Sequence, residues 1–312
     1  MTMNLDQSAP SSGMAFRRRP RLGILLGVSA GCVAVLAVAA VGLAADPRLI
    51  TGSPAWLKVL KFAVSISVYC ATLAWLLTFV QGRPRLVRTV TWATGLALAF
   101  ELVLIVIQVI RGQVSHYNIS TPFDAAVFQL LGSTLPPIYG AAIVTAALLA
   151  RQRGLPPVLA SGIRGGLLIC LLGMAQGSLM IANGANAGPG MIGAHTVGGL
   201  DGGPGLPLTG WSTQHGDLRI AHFVGLHALQ VLPLLAWLVQ RYATGLGVLT
   251  QVRLVRLGTV ACAAVVGLLT WQAQRSLPLL RPDAAVLSVA GLVAAGLAAK
   301  AVAVLARSRR AA

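Results

Sequence analysis

Acidic residues are scarce in this chain. Seven Asp and Glu stand against 24 Lys and Arg over 312 residues, and Glu101 is the only glutamate. Charge of either sign is also low, at 10%, whereas 56% of the residues are hydrophobic. A soluble domain of this length needs about a quarter of its residues charged, so that class is excluded and a membrane bundle is expected. Cysteine is limited to Cys32, Cys70, Cys170 and Cys262, each in a different apolar stretch. None has a partner at metal spacing, which excludes a disulfide framework or a Cys-x-x-Cys centre and leaves four small packing residues. A nucleophile elbow and a phosphate loop are both missing. Gly188-x-Gly190-x-x-Gly193 follows no strand, so it is not a dinucleotide fingerprint.

What the chain has is length in apolar runs. Eight stretches are long enough to cross a bilayer: about Leu22–Leu43, Lys58–Val80, Val90–Ile110, Ala125–Ala150, Gly165–Asn183, Leu218–Val239, Leu257–Gln274 and Ala284–Ala306. The expected fold is an all-α polytopic membrane bundle. The formal charge of +17 follows this topology and forms no patch, so a nucleic-acid partner is not expected. Arg17–Arg21, Arg83–Arg88, Arg151–Arg164, Arg241–Arg256 and Lys300–Arg310 all fall on one side. By the positive-inside rule that side is cytoplasmic, so both termini are expected inside. The apolar run after Arg21 is too long for a signal peptide and reads as an anchor.

The organisation expected is a disordered basic cytoplasmic tail over 1–21, a transmembrane domain over 22–306 and a second basic tail over 307–312. The basic tails and interfaces make membrane lipid a partner, and the placement implied is a bacterial inner membrane. The outer loop 184–216 is Gly-rich and free of Lys and Arg; a loop of that length is expected to cover a site. A shorter outer loop ends in Thr121-Pro122-Phe123-Asp124, a helix start with Thr as N-cap, Pro first and Asp third. Pro136-Pro137 predicts a kink or break in the helix that follows. Gly162/Gly166 and Gly173/Gly177 give the fifth span a small-residue face for close packing.

All five histidines, His116, His195, His215, His222 and His227, lie on or near the outer face. Ionisable groups inside a membrane need a face to hide on. On the second span, Lys58, Lys61, Ser65, Tyr69 and Thr72 fall within an arc of about 80°. On the third, Thr94, Glu101 and Gln108 recur every seventh residue and share a face. Lys61 is the expected partner of Glu101, which near mid-membrane must pair or stay protonated. On the sixth, Arg219, His222, His227 and Gln230 share an arc of about 140°, with Asp217 at the positive helix start. The candidate catalytic residues are therefore Glu101, His222, His227 and Asp217. The candidate ligand-binding residues are Lys61, Gln108, Arg111, Arg219 and Gln230. The candidate metal ligands are His116, His195, His222 and His227, for a transition metal or haem. The second, third and sixth spans are expected to meet around an outward-opening pocket, with the last two spans as scaffold.

Asp217-Leu218-Arg219-Ile220-Ala221-His222-Phe223 and Arg111-Gly112 through Ser115-His116-Tyr117-Asn118 resemble segments of a bacterial multi-pass membrane family without an assigned activity. The eight spans, and the pairing of a long outer Gly/Pro loop with a His-bearing helix, also resemble haem A synthase. That resemblance implies a haem or metal site and a redox role. The chain departs from it in placing intramembrane histidines only on the sixth span; His222 and His227 lie about 140° apart on one helix and do not give opposite axial ligands. A second ligand then has to come from a loop, through His116 or His195. Three functions are open at this point: an outward-facing metal or haem centre, a proton- or ion-coupled small-solute transporter, and a metal-independent membrane enzyme or sensory or binding module.

Overall fold

The computed structural model describes residues 22–310; the tail expected over 1–21 lies outside them. Eight helices run α1 (Gly23–Ala45), α2 (Leu57–Leu77), α3 (Pro84–Ile110), α4 (Pro122–Arg151), α5 (Pro157–Ala182), α6 (Leu218–Tyr242), α7 (Val248–Gln274) and α8 (Ala284–Arg310). All eight are long and apolar enough to span a bilayer, so this is an integral, multi-pass membrane protein with an all-α bundle. Among the described residues strand is limited to two short antiparallel pairs, β1 (Leu49–Ile50) with β2 (Ser53–Pro54) and β3 (Thr196–Val197) with β4 (Gly216–Asp217).

Several helices begin earlier than hydropathy alone indicates. Pro84 opens α3 and Pro157 opens α5, where the missing N–H is not needed and the fixed φ suits a first turn. Arg85, Arg88, Arg164, Arg253 and Arg256 therefore ride on helix ends. α8 continues to Arg310, so the basic stretch expected as a tail from residue 307 is helical up to there. The helix start at Thr121 is as expected: Thr121 Oγ1 accepts from Asp124 N at 3.1 Å and donates to Asp124 Oδ2 at 2.6 Å. Of the kink or break expected at Pro136-Pro137, a break is absent: α4 is one helix from Pro122 to Arg151. Helix is the backbone state that satisfies itself within the bilayer, and Ser133 and Thr134 add hydroxyl bonds to the carbonyls of Leu130 and Leu131.

The tightest packing joins α5 to α6. Cβ atoms added at Gly162, Gly166 and Gly173 would meet the α6 backbone at 2.5 Å (Leu232 O), 2.8 Å (Ala228 O) and 2.5 Å (Gly225 C). The small-residue face thus lets two backbones touch. α1 is tied to α2 by the reciprocal hydroxyls of Ser29 and Ser67, 2.9 Å apart. α7 packs on α5 and α6, and α8 packs mainly on α7 at the edge. By contrast, α2 and α6 do not pack along their length. Among the described residues their one mutual hydrogen bond runs from Gln230 Nε2 to Thr72 Oγ1, at 3.1 Å.

The connections after α1, α3, α5 and α7 gather at one end. Ile119 N donates to Gly190 O, Ile192 N to Tyr117 O and Leu218 N to His195 O. Gly52 abuts the Gly202 carbonyl, and Gly198 abuts Ser276. The Gly-rich loop is therefore an ordered cap on this long-loop end. Part of it is a hairpin: Thr213 N bonds Pro204 O, Leu206 N bonds Trp211 O, and Gly210 N bonds Leu206 O.

Candidate functional site

Beneath that cap, side chains from α2, α3, α6 and two connections come together. The His116 ring occupies the middle. Lys58 Nζ lies 3.3 Å and Ser115 Oγ 3.0 Å from its Nδ1, while Glu101 Oε1 lies 3.9 Å from its Nε2. An ammonium can only donate, so Nδ1 accepts from Lys58 and the ring proton sits on Nε2, facing the carboxylate. At 3.9 Å the two groups attract without a direct hydrogen bond. Glu101 is thus served by His116, with Lys58 behind it, and Lys61 is not its partner. Phe62 and Tyr117 wall the imidazole, with ring centroids at 5.8 and 6.1 Å. Burial, then the Lys58 charge and the neighbouring His195 and His222, hold His116 well below the usual histidine range.

His195 comes from the cap. Its Nδ1 lies 2.7 Å from Asp201 Oδ2, and Asp201 also accepts the backbone N–H groups of His195 and Thr196 at 3.1 and 2.8 Å. A carboxylate at Nδ1 keeps the proton there and leaves Nε2 as a base. Burial alone would raise the Asp201 carboxyl; the bonds from His195 and Thr196 prevail and hold it well below the usual carboxylate range. Burial outweighs Asp201 at the imidazole, so His195 is held below its ordinary value. The Tyr117 ring stands edge-on to His195 with centroids 5.2 Å apart. His222 follows the same scheme: its Nδ1–H donates to Gly173 O at 2.7 Å, leaving Nε2 as acceptor.

Three cations border these rings. Arg219 grips Asp217 through Nε and Nη2, at 2.9 and 2.5 Å, and extends Nη2 to Gly210 O at 2.7 Å. Asp217 caps α6 through Arg219 N and also holds Ser212 N at 2.9 Å. Lys61 Nζ donates to Thr209 O at 2.8 Å. Among the described residues neither Lys58 nor Lys61 has a carboxylate within ion-pair distance. The side chains of His116, His195 and Asp201 keep about a fifth of their surface open to water, at 21%, 20% and 21%. The cluster is roofed by the cap and is not the wide outward-opening pocket expected from the helices.

Other candidates lie apart from it. Gln108 and Arg111 both bind Asp124 Oδ1, at 2.9 and 2.6 Å, and Arg111 stacks over Phe123 at 4.2 Å. They clasp the corner between α3 and α4. His227 rests on Phe223, which leans on Trp211. Gln230 faces Thr72, and its Oε1 is buried without a partner among the described residues. His215 lies against Gly199. No three His, Cys, Asp or Glu side chains among the described residues are grouped as metal ligands. Lys58 lies on the polar stripe of the second span but was not among the candidate site residues, and Asp201 and Tyr117 are site members that the helical stripes did not nominate. Asp201 had one signal: it is the only acid in the 184–216 loop, six residues after a histidine.

A second feature lies toward the other end. Thr72, Trp75, Leu159, Leu229, Gln230, Pro233, Leu234, Trp237 and Gln240 line a groove of about 360 Å³. Comparison with protein-family models, curated proteins and solved structures finds no match to the chain.

Proposed function

We propose that this membrane protein binds an anionic group at its outer face and exchanges a proton with it. The charge rule makes the long-loop end the outer one, and the placement remains that of a bacterial inner membrane. Lys58, Lys61 and Arg219 would attract the anion. His195, held in its Nδ1–H form by Asp201, would accept a proton, and His116 with Glu101 would relay or store it. One observation carries this reading: two lysines without a carboxylate at ion-pair distance stand beside imidazoles whose tautomers are fixed by Asp201, Gly173 and Lys58.

The metal or haem reading, and with it the likeness to haem A synthase, has two points in its favour. His195 and His222 each donate Nδ1–H to an oxygen, as metal-bound histidines do. Against it stand three cations around the same rings and, among the described residues, no group of three His, Cys, Asp or Glu side chains that could hold a metal ion. An absorption spectrum and elemental analysis of purified protein test it directly. The transporter reading uses the same groups, with Glu101 as the proton carrier. Counterflow in proteoliposomes that disappears in Glu101→Gln supports it.

The main test is calorimetric titration of the full chain in neutral detergent with phosphate, acetate and succinate, in two buffers of different ionisation heat. Binding of at least one anion with a buffer-dependent heat is expected. Lys61→Met should weaken it about tenfold, the scale of one lost charged hydrogen bond. His195→Gln should retain binding and lose proton exchange. Absence of anion binding, binding indifferent to Lys61→Met, or proton exchange unchanged in His195→Gln overturns the proposal.

A further inference from the structure

The hairpin between Pro204 and Thr213 lies across the mouth of the α2–α6 seam. Two of the site's cations hold it, one from each helix: Lys61 on α2 bonds Thr209 O, and Arg219 on α6 bonds Gly210 O. Gly210 is required there. Its φ is +64°, and a Cβ would stand 3.3 Å from Ser53 Oγ and 3.8 Å from Lys61 Nζ. The tip residue Leu208 is 77% exposed and also has a left-handed φ, of 64°. Trp211 on the returning strand meets Phe223, itself exposed on α6. The hairpin with the start of α6 thus places Leu208, Trp211 and Phe223 at the depth of the membrane interface, where such side chains anchor.

Below the hairpin the seam is not packed shut. Among the described residues α2 and α6 share a single hydrogen bond, from Gln230 to Thr72, and the apolar groove begins there. Leu234 and Trp237 on its wall are 54% and 52% exposed, so it opens sideways to lipid. Thr72 is eleven residues after Lys61, about 16 Å along a helix. One leaflet of hydrocarbon is about 15 Å thick. Two ammonium groups without a carboxylate at ion-pair distance among the described residues, at one end, and an apolar groove at the other are therefore separated by the length of one lipid chain.

We propose that the anionic group taken by the outer site is the phosphate head of a membrane lipid, with one chain running down the α2–α6 seam into the groove at Thr72, Leu234 and Trp237. This rests on the anion-site reading above and names its ligand class. In the closed form, the Thr209 and Gly210 carbonyls occupy donors of Lys61 and Arg219. A phosphate head exchanges for those carbonyls and frees the hairpin, so the lipid enters laterally and the cap need not open to water.

The test compares retention of phosphatidylglycerol and phosphatidylcholine with the same sixteen-carbon chains, by native mass spectrometry of the full chain, and binding of inorganic phosphate. Phosphatidylglycerol should be retained about tenfold more than phosphatidylcholine, and Lys61→Met, with Lys58→Met as a second charge variant, should remove that preference. Leu234→Trp fills the groove; it should lower phosphatidylglycerol retention severalfold and leave inorganic phosphate binding unchanged. If phosphate binds but the two lipids are retained equally, or Leu234→Trp changes nothing, the lipid inference falls and the anion site stands. If neither phosphate nor phosphatidylglycerol binds, both fall.

Discussion

His116 and His195 are neutral because of where they sit, and this has a measurable consequence. Both are held below the ordinary histidine value of 6.5, chiefly by burial. Below that pH the unfolded chain takes up protons that the folded chain refuses. Stability is therefore independent of these groups above pH 6.5 and falls as pH drops through it, by up to about 1.4 kcal/mol per pH unit for each imidazole. Asp201, held well below the usual carboxylate range, stays charged across this window and adds no slope. Thermal unfolding in detergent between pH 7.5 and 5 should show the decline, and it should be shallower in His195→Gln. An equal slope in the variant would mean that His195 is not among the groups responsible. Glu101, Lys61, Arg219 and His222 were legible in the sequence because helical period puts them on faces. Asp201 and Tyr117 sit in connections without a period, so spacing carried little information about them. The Glu101–His116 pairing was hidden for the same reason, since a loop histidine dips toward α3.

At the scale of elements, α5 and α6 form the rigid side of the site. His222 keeps its tautomer only while the Gly173 carbonyl is 2.7 Å away, and that distance exists because Gly173 faces Gly225. Gly173→Val should therefore do two things. It should destabilise the protein by about 1–3 kcal/mol, as overpacking does, and it should weaken anion binding by displacing His222. Gly177→Ala is the control, because its Cβ would reach His222 Cε1 only at 3.8 Å, an ordinary contact. Thermal unfolding and anion titration of both variants check this; equal behaviour of the two would reject the role of the close contact. The four-residue glycine spacing announced a close face on the fifth span, but its partner Gly225 lies in a stretch read for its histidines. Pro136-Pro137 does not end α4, because rules for helix breaking come from water, where freed carbonyls find other donors.

For the molecule as a whole, the two ends differ in kind. One carries short connections, 78–83, 152–156 and 243–247, bordered by Arg83, Arg85, Arg88, Arg151, Arg153, Arg241 and Arg253. The other carries the ordered cap, with its histidines and the hairpin. Eight spans were legible from hydropathy and the expected sides from charge. The closing of the cap over the site was only partly so, because a Gly-rich segment specifies its path through backbone hydrogen bonds that side-chain patterns do not record. Orientation decides what the site can meet: facing outward it meets external solutes and the outer leaflet, and facing inward it meets cytosolic metabolites. The seventeen basic residues assigned to the short-loop end and the tails favour the first. Cysteines placed singly at Gly82 and Leu208, in a background without the four native cysteines, should separate the two. A membrane-impermeant maleimide added to intact cells should label position 208, which is exposed on the hairpin tip, and should leave position 82 untouched until the membrane is opened. The reverse pattern would place the cluster on the cytosolic side. The anion site would then have to draw on soluble phosphates or the inner leaflet, and the outer-face proposal would be withdrawn.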